Sequence, residues 1–298
     1  MATRDDDLYV SRMLTAPGVF TAGAEGPACD AAGNIYAVNF GREGTIGRVT
    51  PEGEGRVWLE LPLGSVGNGI RFDRGGDMLI ADYTNHNILR VDMETSTVSV
   101  YAHEPALNQP NDLTIDLDDT LFASDPNWNE GTGQFWRIGE DRTFVRMEAS
   151  MSTTNGIEID VQRRLLYVNE TATRRIWVYD LPLGGLPTTK RLLTEFPDFA
   201  LDGMRLDRAG NLFVARWSKG TVAMVSPTGD LMREIPVSGK SCTNVAFGGA
   251  DGRTCYVTVA DSGAIDEFRT EHPGQSWWLR QPGVLDRLSA GAASVNRH

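Results

Sequence analysis

Apolar positions along the chain come in short runs of three to six residues separated by Gly, Asp, Asn and Ser, and no window sustains a 3.6-residue period for 10 to 12 residues. That pattern predicts strands joined by tight turns. Six segments can be superimposed: Glu25-Gly-Pro-Ala-Cys-Asp30, Asn68-Gly-Ile-Arg-Phe-Asp73, Asn111-Asp-Leu-Thr-Ile-Asp116, Asn155-Gly-Ile-Glu-Ile-Asp160, Asp202-Gly-Met-Arg-Leu-Asp207 and Asn244-Val-Ala-Phe-Gly-Gly249, spaced 43, 43, 44, 47 and 42 residues apart. Each is followed by a turn and a second apolar run, such as Met78-Leu-Ile-Ala81 or Leu212-Phe-Val214. Third and fourth strands follow in the complete repeats. A period in the low forties with four short strands predicts an all-β, six-bladed propeller with four-stranded antiparallel blades, forming a single domain over residues 1–298. The sixth repeat lacks a clear fourth strand. The head run Leu8–Leu14 is the favoured element to fill that place and close the ring, with the tail run Ser276-Trp-Trp-Leu-Arg280 as competitor.

Composition narrows the function. With 28 Lys and Arg against 40 Asp and Glu, the net charge of −12 argues against a nucleic-acid partner. No stretch approaches the roughly 20 apolar residues of a membrane-spanning helix, and the amino terminus lacks the layout of a secretory signal, so a cytoplasmic protein without a membrane partner is expected. Cys29, Cys242 and Cys255 are too scattered for a disulfide framework and are expected to be buried. No nucleophile elbow, Walker loop or dinucleotide fingerprint occurs.

The first position of each repeat carries Glu25, Asn68, Asn111, Asn155, Asp202 and Asn244. The first strand of a propeller blade lines the central channel, so these six side chains converge on one mouth. Any one of them alone reads as a turn residue, but the uniform column points to a site. Two carboxylates with amide oxygens, and no thiolate or imidazole, form a hard-oxygen set suited to a divalent cation, Ca²⁺ first, with Mg²⁺, Mn²⁺ or Zn²⁺ as alternatives. Second strands should end at the same mouth, placing Asn39, Asp82, Asp125, Glu170 and Arg216 on its rim. Asp125 precedes a long insert containing Trp128, a candidate substrate wall together with Trp217.

Glu25-Gly-Pro, Gln109-Pro-Asn-Asp112, Asp125-Pro126, Thr154-Asn-Gly156, Leu201-Asp-Gly-Met204 and Thr243-Asn-Val-Ala-Phe-Gly248 together resemble the gluconolactonase, senescence marker protein and luciferin-regenerating enzyme family over nearly the whole chain. The resemblance implies a six-bladed propeller with a divalent metal in its channel, held by Glu25, Asn155 and Asp202, with Asn111 as further ligand or substrate contact and Asp202 as general base. Asp125 is a second candidate base, and Asn68, Gln109 and Asn244 are candidate substrate contacts. Two positions depart from the family pattern. Gln109 stands where sugar-lactone members often carry an arginine that contacts substrate hydroxyls, which weakens the implication of an aldonolactone. Cys29 stands where tryptophan is usual, implying changed packing beside the metal.

The expectation is a metal-dependent lactonase, monomeric or a small homo-oligomer, acting on a small molecule by Lewis-acid activation of the carbonyl and carboxylate activation of water. The rivals are a phosphotriesterase-like hydrolase of the same fold and a non-catalytic NHL-like binding propeller, which repeats such as Gly69-Ile-Arg-Phe-Asp73 also resemble.

Overall fold

The computed structural model describes residues 8–288 as six four-stranded antiparallel sheets arranged around a channel. The innermost strands are Phe20–Cys29, Gly67–Phe72, Leu113–Ile115, Thr154–Asp160, Met204–Leu206 and Cys242–Gly248, in blades one to six. In the first five blades the other three strands follow outward in chain order, as a meander would dictate. Second strands are buried on both faces: Met78–Asp82 and Leu212–Arg216 expose nothing. Outermost strands such as Thr188–Glu195 are polar and exposed. This gradient follows from the architecture, in which sheet packs on sheet around the ring and only the outer edge meets water. The apolar cores accordingly lie between blades. One joins Phe213 and Val222 of blade five to Val245, Val257 and Phe268 of blade six. The channel itself is left to polar side chains.

The head closes the ring. Arg12–Met13 pairs antiparallel with Ala264–Arg269, setting Arg12 opposite Glu267, and a 2.7 Å ion pair joins those two side chains. Blade six thus takes its outermost strand from the amino-terminal end, which covers what would otherwise be an open edge. The competing tail run is not a strand. Gln275–Leu279 forms a short helix against the inner strands, anchored by the Gln275 side chain, which donates to the Ile159 carbonyl (2.6 Å) and accepts from the Val161 amide (3.1 Å). Among the described residues, no helix is long and apolar enough to cross a membrane. All three cysteines are free and buried.

Candidate functional site

The repeat anchors owe their position to the close approach of neighbouring inner strands. In blade five the Gly203 amide donates to the Thr243 carbonyl of blade six at 2.7 Å, and in blade two Gly69 donates to the Asn111 carbonyl of blade three at 2.8 Å. A Cβ at Gly203 would sit 1.9 Å from the Asn244 side chain, and one at Gly26 would sit 2.0 Å from the Asn68 carbonyl oxygen. Glycine follows four of the anchors, Glu25, Asn68, Asn155 and Asp202, where this close approach leaves no room for a Cβ.

Five of the six anchors, Glu25, Asn68, Asn111, Asn155 and Asp202, line one cavity of about 430 Å³. Asn244 does not. It is buried and its Oδ1 accepts from the Val245 amide at 2.8 Å, so its side chain does not stand where the expected substrate contact requires. Glu25 Oε1 also accepts from the Gly26 amide (2.9 Å), and Asp202 Oδ1 accepts from the Gly203 amide (3.0 Å). Asn169 fixes the Asp202 backbone by donating to its carbonyl at 2.6 Å.

Electrostatically this floor is uncompensated. Burial pushes the Glu25 carboxyl from its ordinary 4.5 up to about 7, the Asp112 charge adds to the rise, and the Gly26 amide, Asn244 and Arg205 oppose it. Asp202 is raised well above its ordinary range, first by burial and then by the charge of Glu25. No Lys, Arg or His lines the cavity among the described residues. The amide oxygens Asn155 Oδ1 and Asn68 Oδ1 are buried without a hydrogen-bond partner, although Asn155 Nδ2 donates to Thr171 Oγ1 at 3.3 Å. Two desolvated carboxylates and unpartnered amide oxygens facing one space fit a hard divalent cation, which would supply both the missing countercharge and the missing partner. Among the described residues no three or more His, Cys, Asp or Glu side chains group together as a metal site, so amide oxygens would have to complete the ligand set around Glu25 and Asp202.

The expected rim is corrected in a regular way. Asp125 is fully buried and does not line the cavity. Its carboxylate accepts from the Asn108 and Gln109 amides (2.8 and 2.7 Å), Gln134 Nε2 (2.6 Å) and Trp136 Nε1 (2.9 Å), so it is a structural clip without a free lone pair to serve as base. Asp82 holds Ser65 and Asn87, Glu170 holds the Ser152 amide, and the fully buried Arg216 pairs with Asp198 and Glu234. Each ties the end of a second strand to a neighbouring loop or strand: Ser65 and Asp198 lie in loops, whereas Asn87, Ser152 and Glu234 lie in strands. Asn39 does reach the cavity, but both ends of its amide are engaged by backbone, at Gly23 and Gly44. Gln109 stands outside the lining, and its backbone amide donates to Asp125. Cys29 lies on a different cavity of about 460 Å³ that is also walled by the tail helix, so it is not beside the acidic floor.

The true walls are the turn residues just beyond the second strands: Tyr83, Thr171 and Trp217 directly after Asp82, Glu170 and Arg216, and Trp128 after the blade-three strand Leu121–Asn127. Trp128 and Trp217 are where the sequence placed them, whereas Tyr83 was missed. A second omission lies beneath the floor. Asp112, with no exposed surface, pairs with Arg205 (2.7 Å) and Arg71 (3.3 Å), and Arg71 also reaches Glu158 (2.9 Å). Three of these four sit three residues after an anchor, a column the repeat alignment displays directly.

The model of the SMP-30/gluconolactonase/LRE-like region matches residues 23–261, a span holding every anchor of the floor. The chain belongs to this family. Among its members, the gluconolactonase of Zymomonas mobilis is 27% identical over 274 residues, covering 80% of this chain and 76% of that protein. The 6-deoxy-6-sulfogluconolactonase of Pseudomonas putida is 33% identical over 166 residues, covering 53% of this chain and 57% of its own length. In three dimensions, the calcium-binding protein regucalcin of Agrobacterium tumefaciens superimposes with a TM-score of 0.77 at 22% identity, over 89% of this chain and 95% of that one, which establishes the shared fold.

Proposed function

We propose that the protein is a metal-dependent lactonase whose floor residues hold one divalent cation, Ca²⁺ in the first instance. The observation that carries the reading is the pair of buried, mutually destabilised carboxylates, Glu25 and Asp202, facing unpartnered amide oxygens in a family that includes sugar lactonases. Glu25, Asn111, Asn155 and Asp202 would hold the cation, which when bound supplies Lewis-acid polarisation of an ester carbonyl. Regucalcin, of the same fold, is described as calcium-binding, and the donor set here has the same hard-oxygen character.

Ring opening adds one water. A bond forms between the water oxygen and the acyl carbon, the bond from acyl carbon to ring oxygen breaks, the ring oxygen leaves as an alcohol, and the new carboxylic acid gives up a proton to solvent. Asp202 would take the first proton from the attacking water and return it to the departing ring oxygen, which leaves the base as it began. The Gly203 amide donates to its Oδ1 and fixes the orientation of the carboxylate, which suits a general base. Glu25 shares the countercharge role, with the Gly26 amide fixing its orientation. Asn68, with its free Oδ1, is placed to accept from a substrate hydroxyl or from the attacking water.

The test is an Asp202→Asn protein assayed for metal content and lactone hydrolysis together. The expected result is a loss of about 10²–10⁴-fold in kcat, the usual worth of a positioned base. An Asp202→Asn protein that keeps both its cation and its full activity removes Asp202 from the mechanism.

A further inference from the structure

The walls of the cavity differ in chemistry from its floor. Above the Glu25 and Asp202 level stand Tyr83, Trp128 and Trp217 with Val66. Two of the polar groups among these walls are already engaged within the protein. Both ends of the Asn39 amide are bound by backbone, and the Thr171 hydroxyl accepts from Asn155. Glu43, exposed on the blade-one loop, adds a third carboxylate to the lining, and no cation lines it among the described residues. With the floor carboxylates countered by a bound divalent ion, Glu43 leaves the cavity negative.

Above the floor a polyhydroxylated ring would meet mainly indole and phenol faces, with Glu43 as the one charged side chain of the walls, and a phosphate, sulfonate or carboxylate substituent would meet repulsion without a counter-ion. An alkyl or aryl substituent would instead cover three aromatic faces. We infer that the cavity selects uncharged lactones bearing an apolar substituent, with the ester group directed to the floor and the substituent against Tyr83, Trp128 and Trp217. This rests on the lactonase reading and adds the substrate class.

Three δ-lactones of common ring size test it on the calcium-loaded protein: an alkyl-substituted δ-lactone, glucono-δ-lactone and 6-phosphogluconolactone. The expected kcat/KM for the alkyl lactone exceeds that for gluconolactone by at least about tenfold, the order of discrimination a hydrophobic pocket supplies, with the phosphorylated lactone slowest. Trp128→Ala and Trp217→Ala should each shrink the alkyl preference, acting through KM for the alkyl lactone. Gluconolactone or the phosphorylated lactone turned over as well as the alkyl lactone, or an alkyl preference unmoved by both tryptophan variants, overturns the substrate class while leaving the lactonase reading in place. No turnover of any of the three overturns the lactonase reading and this inference with it.

Discussion

Glu25 and Asp202 are costly residues in the absence of a cation, and their cost has a definite pH dependence. In the metal-free folded protein Glu25 holds its proton up to about pH 7, whereas in the unfolded chain it releases it near 4.5. Between those values the folded state binds more protons than the unfolded one, so stability is fully present below the lower value and declines as pH rises through the upper one. Asp202 shifts in the same direction. Chelator-treated protein should therefore melt at progressively lower temperature across that window, Ca²⁺ should restore the loss, and Glu25→Gln should flatten the slope. A wild-type slope no steeper than that of Glu25→Gln would contradict the assignment. The identity of these residues was legible because a column of six oxygen-bearing side chains stands out in an alignment of repeats. Tyr83 was not legible in that way, because the rim was assigned to the ends of the second strands. The wall begins one residue further, in the turn, and that offset depends on how each strand terminates.

At the scale of the element, the ends of the second strands clip the blades together. Asp125 shows this best, since four donors from the preceding loop and the third strand converge on one carboxylate. Asp125→Ala leaves those buried donors unpaired and should cost at least about 2 kcal/mol of stability. Because Asp125 lies outside the cavity, cation affinity should stay within a few-fold of wild type. Thermal melts and calcium titration on the same variant check both parts. Strand positions were readable from apolar runs alone, and Arg12–Met13 closes blade six as the head run suggested. The tail was a different matter. Its short aromatic run carries no periodicity, and the Gln275 side chain, through two hydrogen bonds to the inner strand of blade four, sets its place as a helix.

For the whole molecule, the channel is built in polar layers: an acidic floor and, beneath it, a charge-balanced cluster of Asp112, Arg71, Glu158 and Arg205 that links blades two to five. Removing one member strands its partners. Asp112→Ala leaves two buried guanidinium groups short of a counter-ion and should cost about 3–5 kcal/mol, measured by denaturant unfolding. A cost below about 1 kcal/mol would show that water already reaches the cluster. The propeller as a whole was evident from a period in the low forties. The cluster was equally present in the repeat alignment, but pairing across blades depends on the ring's closure, which puts residues 93 positions apart, Asp112 and Arg205, within 2.7 Å.

The net charge of −12 argues against a phosphate-backbone partner, and two of those charges bear on a specific claim. That claim is that Glu25 and Asp202 hold a cation on which lactone hydrolysis depends. Titrating Ca²⁺ into chelator-stripped protein while following hydrolysis of an uncharged δ-lactone tests it most directly. Activity should be absent without the cation and should rise along a saturating curve for one site per chain. Full activity in the stripped protein, with no metal left by elemental analysis, would contradict it.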